Sequence, residues 1–290
     1  MSDSDTKRPK KKPLTPKRRE QSRREFLRSA TLSVGMVGIS VLGFLPVVRG
    51  SSLRLRPPGA LKTPFDEQEF LSSCIKCGQC VQVCPVEAIK LADLLDGFGV
   101  GTPFIDARAQ ACDFSCDGIQ CVLACPTGSL THDLDYPADT RMGFARLDKP
   151  QTCLAMQGEG FKGLARGADF RGKLRYEDVD RWTPIPVAEY PYELEICDLC
   201  VRQCPIEIRI AQCEADETSG DDANKARVAR KVGNECPPKH AIRLEPVGDG
   251  SKAMRPVVLE GCVGCGVCEM ICPADPVAIV IDIDKTADTA

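Results

Sequence analysis

Eighteen cysteines occur in 290 residues, and most fall in short runs whose spacing suits metal chemistry. The first run is Cys74-x2-Cys77-x2-Cys80-x3-Cys84-Pro85, and the last is Cys262-x2-Cys265-x2-Cys268-x3-Cys272-Pro273. Two-residue gaps let a tight loop aim three sulfurs at one centre. With the Cys-Pro ending, the run matches the bacterial pattern for [4Fe–4S] clusters, in which the fourth thiolate serves the neighbouring cluster. Gly78, Gly264 and Gly266 would let backbone N–H groups approach the cluster sulfides. Pro85 and Pro273 would turn the chain away after the distant ligand.

The middle groups are less regular. The second is Cys112-x3-Cys116-x4-Cys121-x3-Cys125-Pro126. The third is Cys197-x2-Cys200-x3-Cys204-Pro205 and lacks one local ligand. By spacing, Cys153 upstream and Cys236 downstream compete for the missing position, with Cys213 also available. Leftover thiols could pair as a disulfide. The expectation is four [4Fe–4S] clusters, with three as the alternative if the third group stays incomplete.

Competing chemistries fit less well. Zinc sites use two C-x2-C knuckles per metal and need neither the third cysteine nor the Cys-Pro ending. A disulfide framework suits an exported chain, but cysteines two residues apart are poorly placed to pair with each other. Only two histidines, His132 and His240, are present, which counts against catalytic zinc, haem or copper chemistry. No nucleotide loop, hydrolase elbow or haem-attachment motif occurs. The chain therefore reads as an electron carrier without a substrate site of its own.

The elements that must position these thiols form an internal repeat. Pro85-Val86-Glu87-Ala88-Ile89-Lys90-Leu91, Pro126-Thr127-Gly128-Ser129-Leu130, and Pro273 with Val277-Ala278-Ile279-Val280 trail three of the groups. Each reads as a cysteine loop, a short helical turn and a short apolar strand. Cys236-Pro237 with Ala241-Ile242-Arg243-Leu244 echoes the same context. An α+β fold of tandem ferredoxin-like modules follows, built as two pairs of clusters. Residues 74–140 would hold groups one and two, and 141–290 groups three and four. Residues 51–73 contain Pro57-Pro58 and read as an extended lead-in. Insertions at 154–196 and 214–235 break the repeat and read as surface or docking segments, the latter with a surface helix near 224–232.

The N-terminus differs in kind. Residues 1–28 carry eleven Lys/Arg against four Asp/Glu, whereas 51–290 carry 26 basic against 37 acidic residues. No basic–aromatic interleaving follows the basic block, so nucleic acid is not an expected partner. Arg23-Arg24 stands in Ser-Arg-Arg-Glu-Phe-Leu-Arg, and no charge occurs from Ser29 to Val48. That layout is a twin-arginine secretory leader over 1–50, a route that exports proteins folded around their cofactors. The expected location is the periplasm, reached through the twin-arginine machinery, with membrane association if the leader is kept as an anchor.

Taken together, the leader, Leu55-Arg56-Pro57-Pro58-Gly59-Ala60, the Cys74 and Cys112 groups, Arg141-Met142-Gly143, and Thr152-Cys153-Leu154 with Gln157-Gly158 resemble the MauM/NapG family of ferredoxin-type proteins. The family pattern has a lone cysteine shortly before a C-x2-C-x3-C-P run. The resemblance therefore implies Cys153, Cys197, Cys200 and Cys204 as the third group, leaving Cys213 and Cys236 as extras. It departs from the family in the three-residue gap after Cys112 and in the insertion that splits the third group. If adjacent groups pair, Cys84 exchanges with Cys125 and Cys204 with Cys272; a nested pairing, first with fourth, is the alternative. The resemblance also implies a membrane polyferredoxin that oxidises quinol as one partner, and a periplasmic nitrate reductase or methylamine-oxidising dehydrogenase as the other. A subunit of a larger molybdenum oxidoreductase is the runner-up, and a structural zinc or disulfide protein the third reading.

Overall fold

The structure, a computed structural model, describes residues 26–27, 30–31, 54–60, 67–96, 99–116, 118–176, 180–218, 236–248 and 250–286. The chain divides into two units, 1–50 and 51–290. In the first, residues 26–27 and 30–31 are helical. Arg23, Arg24 and most of the expected leader lie outside the described residues, as does the helix expected near 224–232. No described helix is long and apolar enough to cross a membrane.

The second unit mixes short helices and short strands. Its first half contains α1 (Glu67–Ser73), α2 (Gln79–Gln82), β1 (Ile89–Leu91), β2 (Pro103–Ile105) and α3 (Gln120–Leu123). Next come β3 (Phe144–Leu147), β4 (Phe161–Leu164), β5 (Lys173–Tyr176), β6 (Asp180–Pro186) and β7 (Pro191–Leu194). Then follow α4 (Leu199–Arg202), α5 (Pro205–Thr218), β8 (Ile242–Pro246), β9 (Met254–Val258), α6 (Val267–Ile271) and β10 (Ile279–Asp282). This is the α+β class expected from the repeat.

The described strands form five antiparallel ribbons: β1–β2, β3–β10, β4–β7, β5–β6 and β8–β9. A two-stranded ribbon alone is marginal in water, so each must lean on a shared core. That core includes cysteines among its buried members, with Cys80, Cys121, Cys153, Cys204, Cys262, Cys265, Cys268 and Cys272 packed among Ile, Val and Met. The β3–β10 ribbon closes the second half. It pairs Phe144 with Asp282 and Leu147 with Ile279, across the whole span between groups three and four.

The trailing strands appear as β1, β8 and β10, after Cys84, Cys236 and Cys272. None follows Cys125, where residues 127–130 form turns and bends and the backbone pairs with the lead-in through Thr131 N–H to Gly59 O (2.9 Å). The extended lead-in is also corrected, because α1 occupies its last seven residues. Its prolines end at Pro64, and α1 buries Phe70 against the core. Arg56 holds the lead-in down. Its guanidinium lies inside the protein, forks onto both carboxylate oxygens of Glu67, and donates to Thr102 Oγ1 (3.2 Å) and Pro103 O (2.7 Å).

The 154–196 insertion is more than a surface segment. It builds β4 to β7 and buries Leu174, Tyr176, Val187 and Tyr192. Tyr176 stacks on Tyr190 at 4.0 Å, and its hydroxyl lies 3.0 Å from that of Tyr192. The three tyrosines give this segment a small core of its own.

Candidate metal centres

Each cysteine group wraps a helix one turn long, which sets where its sulfurs point. α2 carries Cys80 and ends before Cys84, α3 carries Cys121 and ends before Cys125, α4 carries Cys200 and ends before Cys204, and α6 carries Cys268 and ends just before Cys272. A turn of helix separates positions three or four residues apart along its axis. The last cysteine of each group is thereby carried away from its local partners and toward the adjacent group.

The consequence is four sets of four thiols. Cys80 has Cys74, Cys77 and Cys125 as neighbours, and these four line one pocket with Phe70 and Leu130. Cys112 faces Cys121 and Cys116, while Cys121 faces Cys116 and Cys84. Cys200 faces Cys197, Cys153 and Cys272, around a second pocket. Cys265 faces Cys204 and Cys262, and Cys268 joins them, around a third. Thus Cys84 and Cys125 exchange between the first two groups, and Cys204 and Cys272 between the last two. The nested alternative does not occur.

Cys153 reaches the third group despite the insertion, because β4 and β7 pair as a ribbon. Phe161 sits opposite Leu194, and Cys197 N–H bonds to Glu159 O at 3.0 Å. The long detour returns the chain to where it left. Cys236 is excluded from that position by a disulfide to Cys213, across 23 residues. Cys213 is carried on α5, which begins directly after Cys204.

The donor sets suit an iron–sulfur cluster. Among the described residues no three Cys, His, Asp or Glu side chains converge closely enough for a single metal ion. The first, third and fourth sets each ring a pocket, as a cubane held at its corners requires. Backbone N–H groups reach several sulfurs: Ala88 to Cys84 (3.3 Å), Leu130 to Cys125 (3.5 Å) and Ala145 to Cys262 (3.4 Å). Such bonds favour thiolate and raise the potential of a bound cluster.

Burial acts the other way on most of these thiols. Burial above all, with neighbouring thiols adding to it, pushes Cys80 and Cys197 up to about 11 and Cys204 up to about 12. Four buried thiolates together would repel one another, so bound iron must supply the compensating charge. Cys125 is the exception. Burial raises it, but hydrogen bonds from Leu130, Thr127 and Ser129 outweigh that and hold it below its ordinary value.

Local sequence patterns missed the residues that join the two halves. Arg108 reaches from the first half to the carbonyls of Glu269 (2.6 Å) and Cys272 (2.8 Å). Arg166, from the insertion, donates to Arg108 O (3.1 Å) and Met270 O (2.9 Å) while covering the Phe170 ring at 4.3 Å. Polar residues in loops carry no period, and nothing in the spacing marks these two.

The comparisons agree with this chemistry. A 4Fe-4S dicluster domain matches residues 73–131, and a 4Fe-4S binding domain matches 259–275. The chain is 31% identical to the ferredoxin-type protein NapG of Escherichia coli over 265 residues, covering 90% of this chain and 86% of that protein. It is 32% identical to the methylamine utilization ferredoxin-type protein MauM of Paracoccus denitrificans over 268 residues, covering 90% and 88%. The NapG of Haemophilus influenzae is 31% identical over 281 residues, covering 95% of this chain and 75% of its own length. No solved structure matches.

Proposed function

The chain belongs to the NapG/MauM family of ferredoxin-type proteins, and from that premise we propose that it is an exported carrier of four [4Fe–4S] clusters working in the periplasm. The observation that carries this is the assembly of sixteen cysteines into four sets of four, with Cys213 and Cys236 set apart in a disulfide. The ligands are Cys74, Cys77, Cys80 and Cys125; Cys84, Cys112, Cys116 and Cys121; Cys153, Cys197, Cys200 and Cys272; and Cys204, Cys262, Cys265 and Cys268. Clusters bound there supply one-electron oxidation and reduction. The protein's part is to bury them, set their potentials through N–H bonds to sulfur, and hold them in fixed order.

The MauM relatives are named for methylamine utilization, and the family resemblance adds nitrate reduction. On that basis the carrier takes electrons from a membrane quinol-oxidising partner and delivers them to a periplasmic reductase or dehydrogenase system. The Arg23-Arg24 leader supports export after the clusters are inserted. Anaerobic analysis of the purified protein should find about sixteen iron atoms with matching sulfide per chain. Zinc without sulfide would overturn the assignment. Cys77→Ala should remove one cluster's EPR signal, and an unchanged spectrum would remove Cys77 from the ligand list.

A further inference from the structure

We propose that the four cysteine sets form one linear series in the order first, second, fourth, third, joined across the two halves at Cys112 and Cys265. This rests on the cluster assignment above and adds the path through the molecule. The first set is that of Cys74, the second that of Cys112, the third that of Cys197 and the fourth that of Cys262.

Within each half the order is given by the exchanged cysteines. Cys84 and Cys125 tie the first set to the second, and Cys204 and Cys272 tie the third to the fourth. Cys121 lies within electrostatic reach of Cys80, and Cys268 within reach of Cys200. What local spacing leaves open is which sets meet between halves.

The backbone answers that. Cys112 N–H donates to Cys265 O at 3.3 Å, so a second-set cysteine and a fourth-set cysteine touch main chain to main chain. Ala111 N–H points at Met270 Sδ, 3.2 Å away. Gly266, at φ +90°, sits so close that a Cβ there would fall 2.6 Å from Ala107 Cβ. Asp113 also faces Cys265. Cys272 of the third set meets the first half too, but through the length of the Arg108 side chain.

The 154–196 insertion covers this joint. Lys173 N–H donates to Gln110 Oε1 (2.7 Å), and Gln110 Nε2 donates back to Lys173 O (2.9 Å). Two residues on, Arg175 N–H donates to Asp113 Oδ2 (3.1 Å). Arg166 ties the same segment to Arg108 and Met270. Gln110 and Ala111 are buried beneath it. The insertion is a strap that excludes water from the contact between halves.

The series also has an open end. Of the sixteen unpaired cysteines, Cys77 of the first set is the exposed one. Ile75, two residues away, is exposed as well. The fourth set, mid-series, is wholly buried.

The test is EPR on the reduced, reconstituted full-length protein with one set removed at a time. Cys262→Ala removes the fourth set, and the expected spectrum is a narrow signal from an isolated third cluster beside a coupled first pair. Cys197→Ala removes the third set, and the remaining three should stay spin-coupled with no narrow signal. An isolated signal on loss of the third set, with coupling kept on loss of the fourth, overturns the order. Narrow signals in both variants, or in neither, overturn the joint. Iron and sulfide near twelve per chain in each variant show that the ligand assignment stands independently. Wild-type protein without iron and sulfide would sink that assignment, a separate failure. If an alanine variant fails to fold, Cys268→Ala and Cys200→Ala remove the same two sets at other ligands, and the same comparison of coupling decides the order.

Discussion

At the scale of single residues, burial governs the thiols and the one buried arginine of the lead-in. With Cys80, Cys197 and Cys204 at about 11 to 12, the empty protein holds these thiols protonated at neutral pH. Cluster insertion must displace those protons, so reconstitution should release protons and become more favourable as pH rises from 7 to 9, which a pH-stat during iron and sulfide uptake measures. The sign for the cluster-free fold is opposite. Raised thiol values stabilise it below the unfolded value near 9, and that stabilisation is lost as pH climbs through 11 to 12. Arg56 is a separate case, because its fork onto Glu67 is buried and its other donors are used by Thr102 and Pro103. Arg56→Ala leaves the Glu67 carboxylate uncompensated and should cost about 3–5 kcal/mol in urea unfolding. Gly264 is needed for close approach. At φ +73°, a Cβ there would lie 2.4 Å from the Gly143 backbone. Gly264→Ala must push β3 away from the last cysteine group, at roughly 1–3 kcal/mol.

At the scale of elements, short helices and ribbons are held by specific side chains rather than by their own length. Glu207 on α5 accepts from Ala241 N–H (2.6 Å) and Ile242 N–H (3.1 Å), and its other oxygen lies 2.8 Å from His240 Nδ1. The start of β8 is thus fixed to the helix that follows Cys204. The disulfide makes a second link, from α5 to the segment that leads into β8. Closing a loop of that size contributes about 3 kcal/mol by limiting the unfolded chain. Cys213→Ala with Cys236→Ala should lower thermal stability while leaving iron and sulfide content unchanged. A loss of one cluster's iron would instead return one of these cysteines to the ligand list.

At the scale of the whole molecule, the strap makes one structure of two ferredoxin-like halves. Each half alone would expose Gln110, Ala111 and the face of α6, which are buried when both are present. The proposed export belongs to this scale as well, since a twin-arginine leader acts on a finished, folded chain. Replacing Arg23 and Arg24 together with lysine should leave cluster-loaded protein in the cytoplasm, as read by cell fractionation and immunoblot. Normal periplasmic accumulation of that variant would remove the twin-arginine route.

The chemistry of the first and last groups was legible in the chain because C-x2-C-x2-C-x3-C-P is a local pattern. Contacts among its first three sulfurs need only a few residues of backbone. Cys153 was reached by family resemblance, and spacing left Cys236 as its rival. The β4–β7 ribbon and the Cys213–Cys236 disulfide decide between them, because both depend on where distant segments pack. The same holds for α1 in the lead-in, which composition read as extended until Phe70 found a core to enter. The eighteen cysteines and their runs determined the kind of cofactor. Which groups share ligands, which halves touch at Cys112 and Cys265, and what the insertion covers were decided by the tertiary structure. Those contacts join residues tens of positions apart within a half and more than a hundred and fifty apart at Cys112 and Cys265, and no local periodicity encodes them.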